Sequence, residues 1–593
     1  MDIKKFLESE YSYENFKKFI FDKFYGFEEN NIDYEEPDTN IEQKHILKYK
    51  FMGSCQLDDK KEIGFFEVIT TEKTDIENNR VSLGNILKNK ASNELLDSAI
   101  AVFYNPNNPS VWRLSFIKFS YDENDKKEVS NLKRFTYVLG KNIPIKTAYN
   151  QLKNLKYPSL IELEEAFSVD KVTKEFFINY KDLYFKLVKD LTVVNQKNIT
   201  QQEEKILEDN KQVSFYIKKL LGRIVFLYFV QKKGWLNSDR KFLSNLFYNF
   251  TKENPNINFY DEILEDLFFN ALNTKRDNDK INLGGNEYEI PYLNGGLFEE
   301  DEYDKTDLTI TNENLKQVLE LFDSYNFTVI EDTPHDSEIA IDPEMLGRVF
   351  EDLLEDRKEK GAFYTPREIV HYMCQQSIIN YLLNFYGEDS LEDIKSLVIE
   401  DKTDTKFIRN NAKDIKKYLE DIKVLDPAIG SGAFPMGMLH EIVAVLSNLD
   451  KTADIGQLKR KVIENSIYGI DIEHSAVEIA KLRFWLSIVV DEEKPTPLPN
   501  LSYKIMVGNS LIETINGFDP LEISKNNKGN GERIKRMKSK FHSYFNSSSN
   551  EEKNIIKKDI EKDVDDIFIV ALRNYQNKLE EVVSKNDLLN TNA

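Results

Sequence analysis

The chain has 593 residues, 40% hydrophobic and 12% aromatic, enough apolar mass for large buried cores, which excludes a disordered chain. Its 80 basic and 102 acidic residues give a formal net charge of −22, which argues against a uniformly basic nucleic-acid coat and leaves room for a local basic groove. No apolar run reaches the roughly eighteen residues of a membrane span, and 2 cysteines with 6 scattered histidines give neither a disulfide framework nor zinc spacing and suit a reducing cytoplasm.

In chain order, residues 1–150 predict a small α/β or α+β domain. Glu62–Thr71, Ser98–Tyr104, Val111–Phe119 and Arg134–Leu139 are rich in β-branched and aromatic residues and read as strands, with a short helix over Asn79–Lys90. Residues 151–356 read as a helical connector. Phe177–Leu191 and Val213–Gln231 carry apolar residues at three- and four-residue spacing, and Gly234 closes the second of these helices. Tyr292–Phe298 is a turn around Asn-Gly-Gly, and a further helix is expected over Met345–Leu354, after Asp342-Pro343.

Residues 357–520 switch to strand–helix alternation: strands at Ile422–Leu425, Ser466–Ile470 and Tyr503–Val507, helices at Phe434–Leu446 and Ser475–Val490. That order predicts a parallel, doubly wound, Rossmann-like sheet. Residues 521–593 are charged, with a Ser/Asn tract at Ser547–Asn550 and an amphipathic helix near Asp559–Val582. Lys525–Lys540 carries seven basic residues against the single Glu532, readable either as a phosphate contact or as a solvated loop, since no aromatics interleave for base stacking.

The chemistry concentrates where the three strands end. In Val424–Phe434 (VLDPAIGSGAF) a strand ends in Asp426, and a turn with Gly430 and Gly432 opens a helix. Glycines there let the backbone approach a ligand at the carboxyl edge of the sheet. The spacing is not G-x-G-x-x-G, which disfavours a pyrophosphate. The next strand ends in Asp471, placed to accept ribose hydroxyls or, alternatively, to cap the following helix. The third ends in Gly508-Asn509-Ser510, small polar groups at adenine height.

These residues resemble the first S-adenosylmethionine motif of amino-group DNA methyltransferases, and Gly361–Val370 (GAFYTPREIV) is similar to the motif that precedes it in the gamma arrangement. The finer resemblance is to type IIG restriction–modification enzymes, single chains that join adenine-specific modification with cleavage. Asp342–Glu351, Leu293–Phe298, Gln231–Leu236, Trp112–Phe116, Lys133–Tyr137 and Ala166–Lys174 look like segments of such proteins, in the same order. The resemblance implies that Thr365 and Pro366 flank the methionine moiety, and that Asp426 with the Ala428–Gly432 turn holds its amino-acid part. It further implies that Asp471 binds ribose, Ile472 packs on adenine and Asn509, where relatives often carry Asp, reaches the adenine edge. Double-stranded DNA is the implied substrate, with methyl transfer to the exocyclic amino group of adenine.

Two departures qualify this expectation. The Asn-Pro-Pro-Tyr motif that holds the flipped adenine is absent: Asn105-Pro106 and Asn254-Pro255 lie upstream and neither continues into Pro-Tyr. The chain is therefore expected to be part of a larger enzyme, truncated or naturally split, with a second polypeptide supplying the rest and the Ile422–Leu425 strand left as an open edge. In the amino-terminal domain, the nuclease pattern of such enzymes would need Asp58 or Asp59, Glu67 and a lysine at position 69 around magnesium. Ile69 stands there, so the nuclease-like domain reads as degenerate. A type I modification subunit, or a non-catalytic S-adenosylmethionine- or DNA-binding remnant, is the alternative reading.

Overall fold

A computed structural model describes residues 1–37, 44–74, 76, 96–121, 129–195, 210–293, 296–300, 304, 310–328, 336–342, 365–492, 494–512, 528–546 and 550–590. The chain divides into two compact units: Met1–Tyr260 with Thr306–Glu355, and Asp261–Lys305 with Asp356–Ala593. Its strands are β1 (Glu28–Glu29), β2 (Ile46–Gln56), β3 (Glu62–Thr70), β4 (Ser98–Asn105), β5 (Asn108–Tyr121), β6 (Val129–Gly140), β7 (Lys280–Leu283), β8 (Asn286–Glu289), β9 (Asp336–Glu338), β10 (Val424–Asp426), β11 (Ile467–Asp471) and β12 (Ile505–Val507).

The first unit is built on one mixed sheet in the order β1-β2-β3-β4-β5-β6-β9. All four strands predicted in this region form, and β2 joins them as the antiparallel partner of β3. β3 and β4 run parallel, which requires a crossover between them; the helix expected over Asn79–Lys90 lies outside the described residues. Side chains alternate across the sheet. Phe66, Val68, Ala99, Ala101, Phe103 and Ile117 build the core on one face. The helices Ile3–Glu8 and Tyr13–Lys23 cover the other, where the Trp112 ring nitrogen donates to the Ser9 carbonyl at 3.0 Å.

The WRLSF and KRFTY segments are structural here. Arg113 on β5 is buried and pairs at 3.5 Å with Glu338 on β9, and Tyr137 on β6 donates to the Ala166 carbonyl at 2.7 Å. That bond ties the sheet to the helical region, and residues 151–260 fall in the same compact unit as the sheet. The helices Val169–Asn195 and Asn210–Lys232 extend both predicted ones, and Gly234 follows with φ +78°. Met345–Leu354 lies outside the described residues.

The second unit carries the predicted parallel strands in the order β10-β11-β12, in register Asp426↔Gly469 and Asp471↔Val507. The helices Ala433–Leu449 and His474–Asp491 make the crossovers and bury apolar faces of Met436, Leu439, Ile442, Ala480, Phe484 and Ile488. Among the described residues β10 is an edge strand, and Leu425 is 61% exposed, as an unpartnered apolar strand would be. Around the expected Tyr292–Phe298 turn, of which residues 294 and 295 are not described, Leu293 donates to Leu272 and receives Leu498.

The basic stretch ending at Lys540 is not a loop from Lys528 onward. It forms the helix Lys528–Asn546, whose Lys540 binds Asp563 at 2.7 Å on the helix Asn550–Asn590, with Arg533 at 4.0 Å from Asp566. An acidic row on the second helix neutralises one face of the first; Lys535 and Arg536 remain exposed. Among the described residues no helix is long and apolar enough to cross a membrane.

Candidate functional site at the ends of three parallel strands

The turn after β10 is held from its own strand and from the next. Asp426 accepts the Ala428 N–H at 3.0 Å, Ile429 donates its N–H to the Ile470 carbonyl at 2.9 Å, and the Gly430 N–H reaches the Asp471 carboxylate at 2.8 Å. Gly430 and Gly432 have φ of +54° and +89°, left-handed values that a side chain would strain, so glycine is required for the chain to reverse into the helix Ala433–Leu449. The turn is also pinned from below. Arg483, buried on the helix His474–Asp491, donates to the Ser431 carbonyl at 2.9 Å and its hydroxyl at 3.2 Å.

Asp471 sits at the centre. One carboxylate oxygen takes the Gly430 N–H and the other the Glu473 N–H at 2.9 Å. The residue at the N-terminal cap of His474–Asp491 is Glu473, so Asp471 is not that helix's cap residue. Each carboxylate oxygen accepts two hydrogen bonds, so Asp471 retains acceptor capacity for a diol. Beside it Ile472 is 69% exposed, an apolar side chain presented at a strand end. From β12, Gly508 donates to the Asp471 carbonyl at 2.8 Å, Asn509 accepts the Leu511 N–H at 3.0 Å through Oδ1, and Ser510 donates to the Pro427 carbonyl at 2.6 Å.

The electrostatics are one-sided. Burial pushes the Asp426 carboxyl above its usual range, the Ala428 N–H pulls it back, and the neighbouring Asp471 pushes it up again. A cationic ligand group beside this pair would relieve both burial and repulsion. Paired carboxylates, glycine-turn N–H groups, an exposed isoleucine and an asparagine amide suit a ligand with an ammonium end, a diol and a flat base. S-adenosylmethionine has all three.

Asp426, Ala428, Gly430, Gly432, Asp471, Ile472 and Asn509 thus stand on three adjoining strand ends. Thr365 and Pro366 lie at the start of the helix Arg367–Tyr386, with Pro366 as its cap residue accepting the Val370 N–H at 3.1 Å. Sequence reading passed over Arg483, and placed Ser510 toward adenine rather than on the Pro427 turn. Arg483 was detectable as the one basic residue in the apolar run Leu482–Val490; the bond from Ser510 to the Pro427 carbonyl became visible only when β12 and the Pro427 turn were placed together.

The nuclease candidates are not brought together. The Asp59 carboxylate accepts the Lys61 and Leu160 N–H groups in the β2–β3 turn. Glu67, 1% exposed, accepts the hydroxyls of Tyr11, at 2.7 Å, and Tyr34. From Glu62, at the turn end of β3, to Glu67 is about 17 Å at the rise of a strand. Asp58 donates its N–H to the Pro158 carbonyl in the same turn. Among the described residues no cluster of His, Cys, Asp and Glu is fit to hold a metal ion.

Residues 400–494 match the family described as the MmeI DNA-methyltransferase domain, and residues 465–589 match the Eco57I restriction-modification methylase. Residues 172–345 match a domain of unknown function. The chain is 30% identical over 461 residues to a putative type II restriction enzyme and methyltransferase of Methanocaldococcus jannaschii, covering 67% of this chain and 38% of that protein. It is 31% identical over 140 residues, 23% of this chain and 11% of the other, to the adenine-specific methyltransferase BrxX of Escherichia coli O9:H4. Among solved structures, the type IIL restriction-modification enzyme MmeI in complex with DNA is similar over 58% of this chain and 42% of that one, at 16% identity and a TM-score of 0.34. The chain therefore spans well under two thirds of the relatives it matches.

Proposed function

We propose that this chain, which belongs with the type IIG restriction–modification methyltransferases, is the S-adenosylmethionine-binding part of an enzyme that methylates the exocyclic amino group of adenine in double-stranded DNA. The observation that carries the proposal is the joint anchoring of three strand ends, in which one carboxylate, Asp471, accepts the Gly430 N–H of the first turn and the Glu473 N–H at the end of the second strand. S-adenosylmethionine supplies the electrophilic methyl group. The chain's own residues bind and orient it. Asp426 and the Ala428–Gly432 backbone hold the ammonium and carboxylate, Asp471 accepts the ribose hydroxyls, Ile472 covers one adenine face and the Asn509 amide reaches the adenine edge. Thr365 and Pro366 border the methionine end.

The residues that would hold the target adenine are those of the Asn-Pro-Pro-Tyr motif, which the sequence does not contain. Cofactor binding is therefore what is assigned to this chain's own residues, and none of them is assigned to holding the target adenine. Isothermal titration of the full chain with S-adenosylmethionine is expected to give saturable binding that Asp471→Ala weakens at least tenfold; equal affinity in both would remove Asp471 from the site. For the first sheet we infer that Asp58, Asp59 and Glu67 do not form a magnesium site, because Asp59 holds a turn and Glu67 holds tyrosine hydroxyls. Magnesium-dependent plasmid nicking abolished by Glu67→Gln would overturn that inference.

A further inference from the structure

The helix Arg367–Tyr386 is fastened to the helix Ala433–Leu449 by contacts that the cofactor motifs do not include. Gly437 lies against Val370 so closely that a Cβ built on it would stand 2.5 Å from Val370 Cγ1 and 3.1 Å from the Cys374 sulfur. The Cys374 thiol points at the Phe434 carbonyl, 3.6 Å away, in the first turn after the Gly430–Gly432 reversal. One turn further along, His371 Nδ1 meets Glu441 Oε1 in a short contact. His371 is 54% exposed, whereas Glu441 is only 9% exposed. Burial raises the Glu441 carboxyl, and His371, Gln375 and His440 pull it back, so the carboxylate's charge depends on these side chains. Gln375 in turn reaches the Val398 carbonyl at 3.4 Å, which seats its side chain.

A buried carboxylate is costly unless hydrogen-bonded. Here its principal partner is a half-exposed histidine, next to Val370, on the helix that starts immediately after Thr365-Pro366. The other helix starts immediately after the glycine turn. The contact therefore fixes the two backbone segments assigned to the amino-acid end of the cofactor, and touches neither Asp471 nor Asn509. We propose that His371 and Glu441 are positioning residues, an interhelical clasp that sets the spacing between the Thr365-Pro366 segment and the Gly430–Gly432 turn and so governs affinity for the amino-acid part of the cofactor. The proposal rests on the S-adenosylmethionine reading given above.

The test compares two nucleoside ligands on the full chain by isothermal titration: S-adenosylhomocysteine, which has the amino-acid part, and 5′-methylthioadenosine, which lacks it. His371→Ala is expected to weaken S-adenosylhomocysteine at least tenfold and to change 5′-methylthioadenosine less than twofold. His371→Asn, which keeps a donor near the Nδ1 position, is expected to recover most of the loss. Glu441→Gln, checked for folding by its melting temperature, is expected to show the same selective loss, and combining it with His371→Ala to add little. Asp471→Ala serves as the contrast, weakening both ligands. Equal weakening of the two ligands by His371→Ala, or no weakening of either, overturns the clasp while leaving the cofactor site standing. A wild-type chain that binds neither ligand overturns the site and the clasp with it.

Discussion

On the proposed reading, the residues at the strand ends set binding against stability. Asp426 is kept above the usual carboxylate range by burial, with Asp471 adding to the shift. A carboxyl raised in the folded state binds more protons there than in the unfolded chain, so stability falls as pH rises through the window between its ordinary and its raised value. Asp426→Asn is accordingly expected to raise the melting temperature at neutral pH. The same substitution is expected to cost cofactor affinity. In the wild type, a ligand ammonium binds the ionised form, so affinity should weaken on acidification through the raised value of Asp426, while Asp426→Asn should bind weakly with a flatter pH profile. Titrations at several pH values on both proteins measure this; an identical pH profile in the two would remove Asp426 from contact with the ligand's charge. Arg483 is a different kind of residue, buried yet satisfied by the Ser431 carbonyl and hydroxyl, and its work is to hold the turn.

At the scale of elements, the turn and the neighbouring strand fit by a missing side chain. A Cβ on Gly469 of β11 would stand 2.2 Å from Ile429 Cδ1. That isoleucine plugs the turn onto β11 and is itself 3% exposed. Gly469→Ala should therefore overpack the joint, destabilising by about 1–3 kcal/mol and loosening cofactor binding through the displaced Gly430 N–H. Ile429→Val should recover part of both losses in the double variant, because the clash is with the removed methyl. Denaturant melts and titrations on the two single variants and the double close this cycle; strictly additive effects would show that Gly469 is needed for some other reason. The alternation of strands and helices that builds this sheet was legible from apolar runs alone. The helix over 528–546 was not, because its lysines and arginines read as a phosphate contact or a solvated loop until an acidic row on Asn550–Asn590 was seen to face them.

At the scale of the whole molecule, the two compact units have separate cores, one around the β2–β6 sheet and one around β10–β12 with its crossover helices. Calorimetry is expected to resolve two transitions. Saturating S-adenosylmethionine should raise one of them and leave the other in place, since only the unit that binds ligand gains about 2.7 kcal/mol at a hundredfold excess over Kd. A single transition that moves as a whole would mean that the units unfold together. Residues 151–260 join the sheet through contacts such as Tyr137 to Ala166, and residues 261–305 join the parallel-sheet unit through Leu293 and Leu498.

The sequence by itself determined the parallel sheet, the order of its motifs and the kinship they imply, because strand ends, glycine turns and helix starts are local features set by a few adjacent residues. What only the tertiary structure decided were the long-range pairings: Asp471 on Gly430 across two strands, Arg483 under the glycine turn, His371 on Glu441 between helices, and Arg113 against Glu338 in the first sheet. The same holds for the carboxylates of the amino-terminal domain. Asp59 and Glu67 are close enough in sequence to suggest one site, and the extended strand between them sends one to a turn and the other under tyrosines. The physical reason is common to all of these. A side chain's partner is chosen by burial and geometry across elements, and neither is encoded in the spacing of residues along one of them.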